Sequence, residues 1–319
     1  MSDPELSQET SPVTECWQQT VQAVLGVAML AGALATFYYY SPSVASNSQP
    51  EDLQKEVHTL SAQVAKLEQE QATPALVLNR YRNSIGYLYG VYQIGFVNQP
   101  ATIRARVSGT GFLVGDRLLA TNRHVAEPWY GDAEAEALID RGATPMLESL
   151  VVFFPGSVNP VNLKPGAVSS TSDLAVLKIV DKDAVHALAV LPLARGSAAP
   201  GELVTVIGYP MGIAGMVAKS PTEIYQRMAF RHNDITSASE LAALSLIRPS
   251  TTCGHLGDVV GDKLIYDAPT AHGGSGGPVF NSNGEVIGVN SAYIDGFSGG
   301  TLGFSVDALR PLIAQAEKK

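Results

Sequence analysis

Cysteine is scarce in this chain of 319 residues: the two cysteines are Cys16 and Cys253, which lie far apart. A long apolar run lies between them. If that run crosses a membrane, the two thiols face different compartments and cannot pair. We therefore expect no structural disulfide bond.

Positive charge is also scarce, because 21 Lys and Arg stand against 30 Asp and Glu, which gives a formal net charge of −9. Phosphate binding needs clustered Lys and Arg, and the sequence contains no such cluster. This disfavours nucleic acid as the main partner. The six histidines show no zinc-ligand spacing such as H-E-x-x-H, so we expect no zinc site.

One apolar run, VQAVLGVAMLAGALATFYYY from Val21 to Tyr40, contains no charge. About 20 residues at 1.5 Å rise cross the ~30 Å hydrocarbon layer, so we predict a transmembrane anchor over 21–40 after a disordered acidic tail over 1–20. A cleaved signal peptide is the alternative, with Ser43-Val44-Ala45 as a cleavage site. The tail lacks Lys and Arg, however, and the run exceeds the usual length of about 7 to 15 residues. Membrane orientation is not specified, because few Lys or Arg flank the run.

Five apolar residues follow at spacings of 4, 3, 4 and 3: Leu53, Val57, Leu60, Val64 and Leu67. The spacing predicts an amphipathic or coiled-coil helix over 51–72 that ends before Thr73-Pro74. The repeat is shorter than the three or four heptads that define a coiled coil. Two interpretations therefore stay open, a single helix lying on the body and a self-associating one. Val at position a with Leu at position d favours dimers.

The remaining chain, 76–319, consists of short Val, Ile, Leu and Tyr runs broken by Gly, Pro, Asn and Asp. This texture predicts an all-β barrel or sandwich. Asn283-Gly284 indicates a hairpin turn. Helices are expected over 132–139, over 237–246 and at the carboxyl terminus.

Ser275 lies in the segment HGGSGGP, residues 272–278. Glycines on both sides allow positive φ values and close approach of the backbone to a substrate. Such a loop can aim main-chain N–H groups at one point, so we predict an oxyanion hole within Gly273, Gly274 and Ser275, with the N–H groups of Gly273 and Ser275 as donors. The alternative is a flexible Gly/Ser linker.

The same segment satisfies G-x-S-x-G, the nucleophile elbow of α/β-hydrolases. That fold needs its histidine after the serine, whereas all six histidines precede Ser275. In addition, Pro278 and an apolar strand follow where an elbow would begin a helix. The elbow interpretation therefore fails.

A serine hydroxyl needs a base, and the pKa of histidine near 6.5 suits that task at neutral pH. His124 in LLATNRHVAEP follows an apolar strand and is the best candidate. Asp173 precedes the strand LAVLKI, where it can accept from the imidazole and fix its tautomer. Taken singly, a structural histidine and a turn aspartate are the plainer interpretations.

Together these segments resemble the trypsin-like serine proteases, most closely the HtrA (Deg) group, over about residues 85 to 315. GTGFLV with ATNRHV is similar to the segment that carries the family's histidine, SDLAVLKI to the aspartate segment and GGSGGPVFNSNGEVIGVN to the serine segment. The resemblance implies an all-β, chymotrypsin-like fold of two six-stranded antiparallel barrels, about 85–193 and 201–305, with a C-terminal helix. His124 and Asp173 would come from the first barrel and Ser275 from the second.

The resemblance further implies a serine endopeptidase with a His-Asp-Ser triad and an acyl-enzyme intermediate, which needs no metal or organic cofactor. It also implies a role in protein quality control on the periplasmic side of a bacterial inner membrane, to which residues 21–40 would anchor the chain. It also favours trimers. The residues that correspond to its substrate pocket include Thr270, His272, Asn290, Ser291 and Ala292. They present no acidic group, which favours small or medium apolar P1 residues; Thr270 and His272 offer an acidic P1 as the alternative.

Two departures from the HtrA pattern matter. The serine loop, residues 272–278, begins with HGGS where the group has Asn-Pro-Gly-Asn-Ser. In addition, no PDZ domain is expected after the last helix. Two other function classes therefore stay open: a catalytically latent scaffold, since fold does not entail function, and a membrane-tethered binding protein in which the anchor and the heptads matter most.

Overall fold

The computed structural model describes residues 27, 29–32, 34–36, 39 and 50–318, except 182, 197, 232–233 and 294–299. The chain forms two compact units, one up to Lys66 and one from Leu67 onward. Among the described residues, no helix combines the length and the hydrophobicity that a membrane span needs. The predicted tail over 1–20 and much of the predicted anchor over 21–40 lie outside the described residues.

The helix α1 spans Pro50–Tyr81. The prediction that it ends before Pro74 was wrong. Proline removes one hydrogen bond from a helix interior, but here the neighbouring Thr73 donates to the carbonyl oxygens of both Gln69 and Ser282, each at 2.8 Å. Val77, one turn later, is buried in the core. Packing of this last part of the helix therefore offsets the cost of the proline.

The apolar residues at heptad spacing, by contrast, are exposed. Leu53, Val57, Leu60, Val64 and Leu67 have exposed fractions between 42% and 61%.

The first barrel closes in the strand order β1-β2-β3-β6-β5-β4. Two short helices follow β3, and the first of them carries His124. The elements are β1 Ile85–Gly95, β2 Ile103–Gly115, β3 Leu118–Thr121, α2 Arg123–Ala126, α3 Ala133–Asp140, β4 Thr144–Phe153, β5 Val161–Val168 and β6 Ala175–Ile179.

The second barrel closes in the order β10-β11-β12-β9-β8-β7 and is followed by the C-terminal helix. Together the two closed barrels and this helix confirm the predicted fold. The elements are β7 Leu203–Gly208, α4 Gly212–Ala218, α5 Thr222–Met228, α6 Ile235–Ala243, β8 Ser250–Val260, β9 Lys263–Tyr266, β10 Pro278–Phe280, β11 Val286–Tyr293, β12 Thr301–Ser305 and α7 Val306–Lys318.

The described residues between β7 and β8 form three helices, whereas the sequence pattern predicted one, over 237–246. That helix is α6, and Asp234 caps it by accepting from Ser237 N at 2.9 Å. The first two, α4 and α5, are only seven residues each. They are too short to show a helical apolar period, which is why the pattern missed them.

The two barrels share one hydrophobic core. Tyr87 and Phe153 of the first barrel pack in the same cluster as Tyr209 and Phe280, which come from the second. Tyr209 also donates its hydroxyl to Ile85 O at 2.9 Å. Full burial of each such aromatic side chain stabilises the fold by about 1.5–3 kcal/mol. The shared core holds the facing ends of the two barrels together, and the predicted site lies there.

Cys253 is a free, exposed thiol on β8. The other cysteine, Cys16, lies outside the described residues.

Candidate active site

His124 and Asp173 come from the ends of two adjacent strands of the first barrel. Thr121, the last residue of β3, pairs with Ala175, the first residue of β6. His124 lies just after the first strand and Asp173 just before the second, so antiparallel pairing brings them to the same end. Asp173 Oδ2 lies 2.7 Å from His124 Nδ1, and Asp173 Oδ1 accepts from the main-chain N–H of His124 at 2.9 Å.

Two further residues support Asp173, neither of which the sequence pattern had assigned to this task. Asn122 donates its side-chain amide to Asp173 O at 2.8 Å. Ser291 donates its hydroxyl to Asp173 Oδ2 at 2.7 Å. Burial raises the pKa of the Asp173 carboxyl, but the hydrogen bonds from His124 and Ser291 outweigh it, and the pKa lies below its ordinary value. The carboxylate is therefore ionised near neutral pH.

Arg123 fixes the short helix that carries His124. Its guanidinium donates to Glu127 Oε2 at 2.8 Å and to Ser169 O at 2.9 Å. It also lies 4.1 Å from the centre of the Tyr130 ring, a cation–π contact. The imidazole thus stands on a segment that is tied to the loop before Asp173.

Ser275 lies between β9 and β10 of the second barrel and is half-buried. Its hydroxyl donates to Ser291 O at 2.7 Å. Ser291 therefore contacts both Asp173, through its side chain, and Ser275, through its carbonyl oxygen. In this arrangement the hydroxyl hydrogen of Ser275 points to the main chain of β11 and is not directed at His124.

Glycine is required in the serine loop for steric reasons. Gly273 has φ +90°, and a Cβ there would lie 2.5 Å from Tyr209 O. The main-chain N–H of Gly274 donates to Ala271 O at 2.9 Å, so it is used inside the loop. Within the described part of the chain, no acceptor takes the N–H groups of Gly273 and Ser275. Of the three residues predicted for the oxyanion hole, these two carry available donors.

The five predicted substrate-pocket residues differ in exposure. His272 is exposed and Thr270 is half-buried, whereas Asn290 is fully buried and Ser291 is 5% exposed. The Asn290 amide donates to Gly274 O at 2.8 Å and to Thr270 Oγ1 at 3.1 Å, and its oxygen accepts from Tyr266 at 2.7 Å. Asn290 thus braces the serine loop. Ala292 continues β11 and pairs with Leu302.

No metal site accompanies this arrangement in the described ranges, where no three His, Cys, Asp or Glu side chains converge as metal ligands.

Comparison with known proteins decides the family. Residues 109–289 match the family model described as "Trypsin-like peptidase domain". The chain belongs to this family. The match contains His124, Asp173 and Ser275, and it confirms the resemblance inferred from the motifs.

Curated relatives include proteins of the HtrA and Deg type. The chain is 28% identical over 204 residues to a "Probable periplasmic serine endoprotease DegP-like" of Rhizobium meliloti (strain 1021), covering 64% of this chain and 31% of that protein. It is 28% identical over 214 residues to "Serine protease HTRA2, mitochondrial" of Bos taurus, covering 66% of this chain and 37% of that protein. The chain thus spans about a third of the length of these relatives.

Among solved structures, the Rv3671c protease of M. tuberculosis in its active form has a TM-score of 0.50. The two share 16% sequence identity, and the alignment covers 75% of this chain and 83% of that one. At this identity the likeness shows the fold alone.

Proposed function

We propose that the chain is a serine endopeptidase that hydrolyses peptide bonds through a covalent acyl-enzyme. The observation that carries the proposal is the continuous contact from Asp173 to His124 on one side and through Ser291 to Ser275 on the other. Membership of the trypsin-like peptidase family supports the same activity, and the curated relatives are named serine proteases.

In the proposed reaction the Ser275 side chain first rotates from Ser291 O toward His124. Its oxygen attacks the scissile carbonyl carbon while His124 accepts the hydroxyl proton. The developing oxyanion accepts from the N–H groups of Gly273 and Ser275. His124, held in one tautomer by Asp173, then gives the proton to the leaving amine. A water molecule hydrolyses the ester by the same steps, which restores the serine hydroxyl.

For the substrate, we propose an unfolded protein segment with a small or medium apolar P1 residue. Thr270 and His272, which flank the serine loop, present no acidic group to a basic P1. Asn290 and Ser291 are buried, so they would act on the substrate through their main-chain groups and through their support of the serine loop. Ala292 continues the same strand. We also propose a role in protein quality control, from the resemblance of the motifs to those of the HtrA group.

The test uses the full-length chain in detergent, with labelled casein and a fluorophosphonate probe. We expect labelling and cleavage, and we expect Ser275→Ala to abolish both while its unfolding midpoint stays near that of wild type. If folded wild-type protein gives neither signal, the proposal is wrong. The hydrogen bond from Ser275 to Ser291 O favours the catalytically latent scaffold as the interpretation in that case.

For location, we propose that residues 21–40 anchor the chain in a bacterial inner membrane, with the peptidase domain in the periplasm. The relative named periplasmic and the uncharged run support this. Accessibility of the domain to added protease in spheroplasts, against intact cells, tests it. Protection of the domain in spheroplasts would contradict the proposed side.

For partners, we propose that α1 joins copies of the chain into a homo-oligomer, a dimer or a trimer. The exposed heptad residues, such as Leu60 at 53% exposed, support this, because such a stripe is costly to leave in water. Leu60→Glu should lower the mass measured by light scattering, whereas Gln63→Glu on the same helix should not. Equal masses for wild type and Leu60→Glu would contradict it.

A further inference from the structure

Thr110 belongs to β2 of the first barrel and is fully buried, yet its polar atoms contact the serine loop of the second. Its main-chain N–H donates to Ser275 O at 2.8 Å. Its hydroxyl donates to Gly273 O at 2.7 Å and accepts from the main-chain N–H of Tyr209 at 3.1 Å. One residue of the first barrel therefore donates to two carbonyl groups of the serine loop, those of Gly273 and Ser275.

The direction of these hydrogen bonds is determined. The N–H of Tyr209 can only donate, so the Thr110 oxygen must be its acceptor. The single hydroxyl hydrogen of Thr110 is then left for Gly273 O, which can only accept. No alternative orientation of the hydroxyl satisfies both neighbours, and both are buried. Such groups are costly to leave unpaired.

Peptide planarity turns these contacts into control of the loop. In a trans peptide the C=O and the N–H point in opposite directions, so a fixed carbonyl also fixes the N–H of the next residue. Thr110 holds the Gly273 carbonyl while Ala271 O holds the N–H of the same peptide, at 2.9 Å. It holds the Ser275 carbonyl while Asn290 O accepts from Gly276 N at 2.7 Å.

The two peptides that carry the available N–H groups lie directly before these. The Gly273 N–H belongs to the peptide whose carbonyl, His272 O, accepts from Met211 N at 2.6 Å. The Ser275 N–H belongs to the peptide whose carbonyl, Gly274 O, accepts from Asn290. Each of these peptides shares a Cα with a peptide that Thr110 holds, so the fixed neighbour limits the rotation that remains open to it. Glycines leave the backbone free to rotate unless such contacts stop it.

We propose that Thr110 is a positioning residue for the oxyanion hole: its hydroxyl keeps the N–H groups of Gly273 and Ser275 directed at one point. This inference rests on the proposed peptidase activity. It assigns to the threonine of GTGFLV an effect on the transition state, exerted through the serine loop and without contact to the substrate.

The experiment compares three variants of the full-length chain. Thr110→Val keeps the shape and removes the hydroxyl, whereas Thr110→Ser keeps the hydroxyl. Thr73→Val is the matched control, because Thr73 is also buried and its hydroxyl donates to a main-chain carbonyl, Ser282 O, at 2.8 Å, outside the serine loop. The control loses an equivalent buried hydrogen bond but leaves the carbonyls of the serine loop paired.

Three quantities are measured: the second-order rate of fluorophosphonate labelling, kcat and KM on labelled casein, and the urea midpoint of unfolding. We expect Thr110→Val to lower the labelling rate and kcat about 10- to 100-fold, with KM within about 2-fold, since an oxyanion donor contributes about 10²–10³ in rate. Thr110→Ser and the control Thr73→Val should both stay within about 3-fold of wild type in labelling rate and kcat.

Thr110→Val activity no lower than that of Thr73→Val would overturn the proposal, and so would Thr110→Ser activity as low as that of Thr110→Val. If Thr110→Val does not fold, Thr110→Cys replaces it, because the thiol is a weak donor of similar size and should fall between Ser and Val; activity equal to the control overturns the proposal there too. Wild-type protein that is neither labelled nor active on casein contradicts the peptidase function itself, which is a separate result.

Discussion

The two barrels present their active-site residues in different ways. In the first, His124 and Asp173 follow and precede paired strands, so the register of one antiparallel ladder places them. In the second, Ser275 stands in a loop with glycines at 273, 274, 276 and 277, and no strand passes through it. The ladder of its own barrel places the first pair, and Ser291 of the second barrel adds one hydrogen bond to it, whereas the glycine loop itself is held by contacts from the first barrel.

The contacting residues of the two sites also differ in how far apart they lie in the sequence. His124 and Asp173 are 49 residues apart, whereas Thr110 and Gly273, which meet at 2.7 Å, are 163 apart. A strand ladder restricts each residue through its neighbours, and a glycine loop is restricted only by what packs on it. Disruption of the β3–β6 ladder should therefore displace His124 and Asp173 together, whereas loss of a single contact such as that of Thr110 should misplace the serine loop.

The largest expected effect is on the first barrel. Asp173→Asn should lower kcat about 10⁴-fold, because asparagine cannot stabilise the imidazolium and favours the wrong tautomer of His124. Ser291→Ala, which removes only one hydrogen bond to that carboxylate, should lower kcat by less than about 10-fold. Steady-state kinetics on labelled casein measures both. Asp173→Asn activity within 10-fold of wild type would break the assignment of the pair.

The next effect concerns the glycine loop. Gly276 has φ +87°, and a Cβ there would overlap Thr110 O. Gly276→Ala should lower the free energy of unfolding by about 3 kcal/mol, since backbone strain and steric overlap add. Gly131 of the first barrel has φ +76° and open space around it, so Gly131→Ala should cost about 1 kcal/mol.

Urea unfolding of the two glycine variants gives the comparison directly. Equal losses of unfolding free energy would mean that the serine loop rearranges to accommodate the added Cβ with no extra destabilisation. That result would contradict the view that the first barrel holds the loop tightly.

Acidification should act on the first barrel through Asp173. Its folded pKa is lowered, chiefly because the hydrogen bonds of His124 and Ser291 outweigh burial. Its contribution to stability is therefore complete above the unfolded pKa, near 3.9, and is lost as pH falls through the lower folded value. Wild type should lose more unfolding free energy than Asp173→Asn between about pH 5 and pH 2.

Urea midpoints over that pH range check this expectation. Asp116→Asn, which changes a side chain that is 92% exposed, serves as the control and should follow wild type. Parallel curves for wild type and Asp173→Asn would show that the pair adds nothing to the pH dependence of stability.

The smallest expected effect concerns the N-terminal caps of two helices, α3 in the first barrel and α6 in the second. Asp132 caps α3 by accepting from Ala135 N at 2.9 Å, as Asp234 caps α6. Each Asp→Ala change should cost about 1 kcal/mol, because the first turn loses one acceptor. Thermal unfolding measures both losses, and kcat should stay near that of wild type. A fall in kcat with Asp234→Ala alone would show that the helices before β8 influence the serine loop.

Much of this molecule follows from local sequence pattern. The short apolar runs predicted the strands, and the family resemblance carried by the three motifs implied two barrels with His124, Asp173 and Ser275 between them. The pattern failed where neighbours in space decide. The helix α1 passes Pro74 because Thr73 and Val77 pack on the second barrel, and a local breaker rule cannot register such contacts.

The same limit applies within the site. Asn290 and Ser291 were predicted as substrate-pocket residues from their position in GVNSA. In the structure the Asn290 amide holds the serine loop and the Ser291 hydroxyl supports Asp173. Position along a strand indicated that both lie near the site, but it could not tell which way each polar group donates, because the acceptors lie on other segments.

The sequence by itself pointed to the family and to the three candidate catalytic residues, because these rest on short motifs and on their order, and the resemblance to that family implied the two-barrel architecture. Only the tertiary structure decided how the serine loop is held. Glycine backbones have no preferred conformation of their own, so the direction of the Gly273 and Ser275 N–H groups depends on partners such as Thr110 and Met211, far away in the chain.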